Sequence, residues 1–246
     1  MQLLVLPGLP LVKEGDDLGE LIVEAAARAG VGIEDGDVVA VTQSVVSKAE
    51  GGTVELGKVE PGPEALSLAG RLGKDPREVE VILRESAQVL RAGRVLICRT
   101  RHGFVCANAG VDHSNAGEGR VTVLPRDPDA SAAKIRRRIW ELTGREVAVI
   151  ITDSWGRTFR RGAVGHAVGI SGLSPLLDLR GRKDLYGREL RSKVVCVADA
   201  LAAAAVLLMG EAAEGKPVVL IKGAPYGKGE GKVKEILRPE EEDLFL

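Results

Sequence analysis

Val147-Ala-Val-Ile-Ile-Thr-Asp-Ser154 is the stretch that decides the fold class. From Val147 to Thr152 it is apolar or β-branched throughout, and it stops at an aspartate. A short unbroken run of this kind reads as a strand covered on both faces, which implies helices packed over a sheet. The residues before it agree. Asp129 to Leu142 has helix-forming composition, Asp129 stands where an N-cap would, and Gly144 ends the pattern. Working outward, strands are expected at Leu3–Leu6, Val38–Thr42, Val121–Leu124 and Val218–Lys222. Val95–Arg99 and Phe104–Ala107 are expected to form a hairpin about His102-Gly103. Helices are expected at Asp16–Ala29, Glu64–Leu72, Pro76–Leu90 and Ala198–Met209, with loops at Gly156–Gly162 and Arg180–Arg191. The alternation predicts a mixed α/β (α+β) fold.

The chain has 246 residues, 45% hydrophobic and 28% charged, which suits one large domain or two small ones. It is read as a single unit over 1–246, with the Pro/Gly-rich stretch 51–63 as the place where two lobes would part. The formal net charge of −1 disfavours a nucleic-acid partner, because phosphate neutralisation needs a basic excess. Only 3% of residues are aromatic, so base-stacking platforms are disfavoured too. Cys98, Cys106 and Cys196 with His102, His113 and His166 form no zinc-ligand spacing and no disulfide framework, which points to a reducing, cytoplasmic setting. Met1 to Pro7 lacks the features of a signal peptide, and the apolar stretch Val194–Gly210 is interrupted by Asp199. No membrane partner is expected.

Three carboxylates stand where elements hand over to loops: Asp112 in Asn108-Ala-Gly-Val-Asp-His-Ser-Asn115, Asp153 after its strand, and Glu211 after Met209-Gly210. Ligands of α/β proteins gather beyond the carboxyl ends of strands, and carboxylates with hydroxyls suit Mg²⁺ or Mn²⁺ rather than zinc. The plainer reading is that each aspartate closes its own turn. Arginines form a second signal, in Gly156-Arg-Thr-Phe-Arg-Arg-Gly162 and in Gly181-Arg-Lys-Asp-Leu-Tyr-Gly-Arg188. Guanidinium forks suit phosphate and carboxylate, although solvated loops with local ion pairs also look like this.

Gly210-Glu-Ala-Ala-Glu-Gly-Lys216 imitates the start of a phosphate-binding loop, but Pro217 replaces the metal-binding hydroxyl. A helix precedes it and a strand follows, the reverse of the order that aims a helix N-terminus at phosphate. Lys48, flanked by Ser44 and Ser47, suits an anion or simply snorkels at the surface. His113 could be a ligand or base beside Asp112, and Cys98 and Cys106 read as small core residues.

Taken together, these motifs resemble those of the coenzyme F420-0:glutamate ligases. The likeness runs through Gly8-Leu-Pro-Leu-Val-Lys-Glu-Gly-Asp-Asp17, Val46-Ser-Lys-Ala-Glu-Gly51, Asn108 to Asn115 and Ile151-Thr-Asp-Ser154. It continues through Phe159-Arg-Arg-Gly162, Gly181-Arg-Lys-Asp-Leu-Tyr-Gly-Arg-Glu-Leu190 and Leu207-Leu-Met-Gly-Glu211. The resemblance implies a family-specific mixed fold, neither Rossmann nor P-loop, in an intertwined homodimer. It implies two divalent ions, Mg²⁺ or Mn²⁺, on Asp112, Asp153, Ser154 and Glu211, with K⁺ as a further candidate ion. GTP contacts would fall on Leu9, Pro10, Leu11, Val12, Gln43, Ser44, Lys48 and Asn115. They would continue on Met209, Gly210, Glu211, Ala212, Ala213, Glu214, Gly215 and Lys216. Gln43 departs from the small hydroxyl residue expected at its position, and Trp155 is bulkier than expected.

The implied activity is GTP-dependent addition of L-glutamate to coenzyme F420-0 through an acyl phosphate, with further γ-linked additions. Asp112, Asp153 and Arg157 are the expected catalytic residues, and Arg160, Arg161 and Arg182 the expected holders of the acidic substrates. Another nucleotide-dependent carboxylate–amine ligase, or a non-catalytic GTP sensor, would share much of this pattern.

Overall fold

The computed structural model describes residues 1–243. Its central sheet has five strands: β1 (Gln2–Val5), β2 (Val38–Thr42), β8 (Ala148–Gly156), β9 (Ala163–Ser171) and β12 (Val218–Lys222). Their spatial order is β1-β12-β2-β8-β9. β2 and β8 run parallel, in register from Val38 beside Ala148 to Thr42 beside Thr152, and the other neighbours are antiparallel. The inner strands are buried along nearly their whole apolar length, as continuous Val/Ile runs require. The mixed α/β expectation is met, and this single parallel pair in an otherwise antiparallel sheet is unlike a Rossmann sheet.

Helices α1 (Leu18–Arg28), α5 (Pro128–Thr143) and α6 (Val197–Met209) pack with this sheet around the larger core. Asp17 caps α1 by accepting from Glu20 N at 3.1 Å. The N-cap of α5 is Asp127, which accepts from Ala130 N at 3.0 Å, and not Asp129. Pro128 takes the first helical position, where a missing N–H costs nothing, so the cap falls one residue before it. Asp129 instead accepts from Ile170 N at 2.8 Å and from Val233 N, tying α5 to β9 and to the 3₁₀ turn Val233–Ile236. At Gly169 on β9, an added Cβ would run into the Pro128 carbonyl group, so only glycine allows this approach of strand and helix.

A second core is built by residues between 53 and 123. α3 (Pro63–Leu72) and α4 (Pro76–Glu85) pack with β4 (Ser86–Ala92), β5 (Leu96–Thr100), β6 (Val105–Ala107) and the short pair β3 (Thr53–Glu55) and β7 (Arg120–Thr122). The helix expected to run to Leu90 stops at Glu85, and its last residues become β4. Ala, Gln, Leu and Arg favour a helix there, but pairing β4 with β5 satisfies the backbone of both strands, and tertiary pairing overrides propensity. The elements not expected from the sequence include the short strands β3, β10 (Leu176–Asp178) and β11 (Val194–Cys196), the seven-residue helix α2 (Gln43–Ala49), and β9, whose alternation is diluted by Gly165 and Gly169. β10 and β11 pair as the base of a long hairpin whose far end, with Leu185 and Tyr186, is fully exposed. No helix among the described residues is long and apolar enough to cross a membrane.

Candidate active site

Because β2 and β8 are parallel, their carboxyl ends lie side by side, and this edge forms one wall of a cavity of about 380 Å³. Thr42 hands over to α2, bringing Gln43 and Ser44 to the wall, while β8 supplies Thr152, Asp153, Ser154 and Trp155. The C-terminus of α6 adds Met209 and then Gly210, whose φ of 80° turns the chain so that Glu211 faces the same space. The opposite wall is the turn 108–115 from the second core. Asn108 and Ala109 both adopt left-handed backbone, with φ of 52° and 54°. Such conformations cost about 1–3 kcal/mol each and concentrate at functional sites. The turn is braced behind Asp112 by paired backbone bonds with Thr122.

The three carboxylates singled out above therefore line one cavity, together with Ser154. Ser154 Oγ donates to Glu211 Oε2 at 2.8 Å. Asp112 also closes a local turn, accepting from Ser114 N at 2.9 Å. Asp153 does not follow its strand as expected: antiparallel pairing with β9 carries β8 on to Gly156, and within it Asp153 accepts from the adjacent Ser154 N at 2.8 Å. Turn closure and ligand binding are compatible here, since each such bond occupies one carboxylate oxygen. Asp153 keeps part of its surface on the cavity, but protein surrounds its carboxyl group, and burial pushes it up to about 7. The Ser154 N–H opposes this, and the negative charges of Asp112 and Glu211 add to it. Cys106, also on the wall, is pushed up to about 12 by burial and stays a thiol.

The donors facing the cavity are thus oxygens, which suit a hard cation. Among the described residues, no three carboxylate, imidazole or thiol groups stand close enough to hold one ion between them. Any hard cation held here would therefore need oxygens from outside the protein to complete its shell.

Gln43, Ser44, Asn115, Met209, Gly210, Glu211 and Ala212 line this cavity. Gln43 is buried, and its amide nitrogen donates to Ser47 Oγ at 2.6 Å and to Val123 O at 2.8 Å, so that group is already engaged. Lys48 Nζ donates to Asn115 O at 2.6 Å, and Asn115 Nδ2 to Ala212 O at 3.2 Å, which links both sides of the cavity. Burial lowers the Lys48 ammonium below its usual range, and the Asp112 charge works against that. Ala213, Glu214, Gly215 and Lys216 continue as an exposed loop from α6 into β12, the helix-to-strand order that excludes a P-loop.

Other expected residues are not on the cavity's walls. Leu9, Pro10, Leu11 and Val12 lie between β1 and α1, where Leu9 and Val12 pack on the larger core and Leu11 is 91% exposed. Arg157, Arg160 and Arg161 occupy the exposed β8–β9 turn, with Arg157 Nη1 donating to Gly162 O at 3.1 Å. Arg182 is exposed on the β10–β11 hairpin. His113 pairs with Glu78 on α4 at 3.3 Å. Sequence reading missed Thr42, Cys106, Thr152 and Trp155 as lining residues. The end of β8 was the available signal for Thr152 and Trp155, since residues flanking Asp153 must share its location.

Comparison with known proteins identifies the family of the chain. The profile of the family F420-0:Gamma-glutamyl ligase matches residues 8–223. The chain is 53% identical to the coenzyme F420:L-glutamate ligase of Methanothermobacter thermautotrophicus, over all of this chain and 98% of that protein. It is 49% identical to the ligase of the same name from Methanocaldococcus jannaschii, over 96% and 94% of the two chains. The ligase of the same name from Archaeoglobus fulgidus is 52% identical, over 97% and 93%.

Proposed function

Because the chain belongs to the F420-0:γ-glutamyl ligase family, we propose that it joins L-glutamate to coenzyme F420-0 in a GTP-dependent reaction, and then adds further γ-linked glutamates. The observation that carries the proposal is the meeting of Asp112, Asp153, Ser154 and Glu211 from three separate elements on one cavity. These residues would hold Mg²⁺ or Mn²⁺, which when bound neutralises phosphate charge and polarises the P–O bonds. K⁺ is a further ion to test.

The Lys48–Asn115–Ala212 link and the backbone of residues 209–212 would face the nucleotide, with 213–216 as the adjoining exposed loop. The carboxylate of F420-0 would attack the γ-phosphorus in line, forming a carboxyl O–P bond as the bond to GDP breaks. The glutamate amine would then attack the acyl carbon, forming the C–N bond, releasing phosphate and losing its proton to solvent. No protein nucleophile is needed, and Cys106 is held as a thiol. What the chain supplies is placement and a desolvated acidic wall. Arg157, Arg160, Arg161 and Arg182 reach from hairpins and would collect the acidic substrates on approach. A second copy of the chain is the proposed partner of the exposed β10–β11 hairpin, which carries Leu176, Leu177, Leu185, Tyr186 and Val194.

The test mixes purified protein with GTP, Mg²⁺ or Mn²⁺, glutamate and F420-0. A product heavier by one or more glutamyl units, with GDP formed in step, is expected, and absence of that product with folded protein overturns the assignment. Asp153→Asn should lose on the order of a hundredfold or more in rate. Glu241→Gln, on the exposed C-terminal segment, should match the parent protein.

A further inference from the structure

Aromatic side chains are scarce in this protein, with three Phe, two Trp and two Tyr. Phe104 and Trp155 nonetheless meet in one row with two of the three histidines. His102 and Phe104 have ring centroids 5.8 Å apart, Phe104 and Trp155 6.0 Å with a 47° tilt, and Trp155 and His166 4.4 Å at 9°. Phe104 and Trp155 both pack in the larger core, although the chain that carries Phe104 comes from the second. His102 and Phe104 belong to the turn between β5 and β6, whose strands build on the second core, yet Phe104 is buried in the larger one. Trp155 lies two residues beyond Asp153 on β8, and His166 is the cross-strand partner of Asp153 on β9.

The chain direction makes this row consequential. From Phe104 it runs straight through β6 into the turn 108–115 that carries Asp112. The seat of Phe104 is therefore one anchor of the turn that carries Asp112, beside the backbone pairing of Asp112 with Thr122 and the Lys48–Asn115 bond. His102 strengthens the seat, its Nε2 lying 3.0 Å from Pro125 O at the return into α5. Trp155 is the one ring of the row that also lines the cavity.

We propose that Trp155 is a positioning residue: stacked on His166 and in contact with Phe104, it fixes the separation between Asp112 on one wall and Asp153 and Glu211 on the other. The inference rests on the cation- and phosphate-binding reading of the cavity, and its test separates the two. Trp155→Leu, Trp155→Phe and Phe104→Leu would be compared with the parent protein by two readouts. One is amide hydrogen exchange of residues 108–116 with no metal added, and the other is Mn²⁺ affinity from the paramagnetic signal of free Mn²⁺.

Both leucine variants should exchange faster in 108–116 and bind Mn²⁺ about 10–100-fold more weakly, the usual effect of losing a residue that orients ligands. Trp155→Phe, which keeps a ring, should recover most of both. If Trp155→Leu fails to fold, His166→Phe against His166→Ala asks the same question, with the stacked ring kept or lost. Unchanged exchange in the leucine variants, or a phenylalanine variant no better than leucine, overturns the proposal. Faster exchange in a protein whose parent binds no Mn²⁺ upholds the positioning role and overturns the cation site.

Discussion

Asp153 shows at the scale of one residue what burial beside like charges does to a carboxyl group. Its carboxyl is pushed up to about 7 by burial, whereas an ordinary aspartate, as in the unfolded chain, titrates near 3.8. A folded-state value above the unfolded one favours the protonated form. Its stabilising contribution is therefore complete below about 4 and is lost as pH rises through 7. In metal-free protein, Asp153→Asn should thus gain stability relative to the parent between pH 5 and pH 8. Urea unfolding at the two pH values checks this, and a difference that does not change with pH refutes it. Cation affinity should rise over the same interval, because the ligand must lose its proton first. Asp153 stood out in the sequence because it interrupts an apolar run, but neither its place inside β8 nor the shift was legible. Burial comes from the packing of the whole cavity wall, and the two like charges come from Asp112 and Glu211, 41 residues before it and 58 after it in the chain.

At the scale of elements, capping and close approach decide where helices begin and how near they come. Asp127→Ala should cost about 1 kcal/mol by removing the N-cap of α5. Gly169→Ala should cost more, on the order of 1–3 kcal/mol, because the new methyl must push β9 off Pro128. Thermal unfolding of the two variants tests both the sizes and their order. The local code for these elements was partly readable. Proline and glycine punctuation located α3, α5 and α6 correctly, yet the same composition rules carried α4 five residues too far. β4 escaped because a strand depends on its partner, and nothing within Ser86–Ala92 announces β5. The Asp127 cap was missed for a smaller reason, since Asp127 and Asp129 flank one proline and only the backbone shows which side-chain oxygen meets an N–H.

At the scale of the whole molecule, the cavity lies where two hydrophobic cores face each other, and few groups hold its walls together. Gln43 and Ser47 on α2 both donate to Val123 O, and Lys48, Asn115 and Ala212 form the second link. The β10–β11 hairpin projects beyond this assembly with Leu185 and Tyr186 at its end. With the proposed pairing of two copies through this hairpin, the parent should have the mass of two chains by light scattering and the variant with both residues replaced by glutamate the mass of one. The same mass for parent and variant would remove the hairpin from the interface.

What the sequence determined by itself was whatever depends on near neighbours: buried strands from unbroken Val/Ile runs, helix ends from proline and glycine, and three carboxylates as candidates, though Asp153 falls within its strand rather than at its end. Its motifs also carried the family resemblance, because order and spacing along the chain are sequence properties. Tertiary structure alone decided that Asp112, Asp153 and Glu211 share a cavity, that the four arginines extend from hairpins, and that Gln43 is engaged in the interior. It also decided that Phe104, from strands of one core, is buried in the other. The reason is physical. Meeting of distant side chains follows from which strands pair and which surfaces are hidden from water, and those energies are summed over the whole fold before any single residue takes its place.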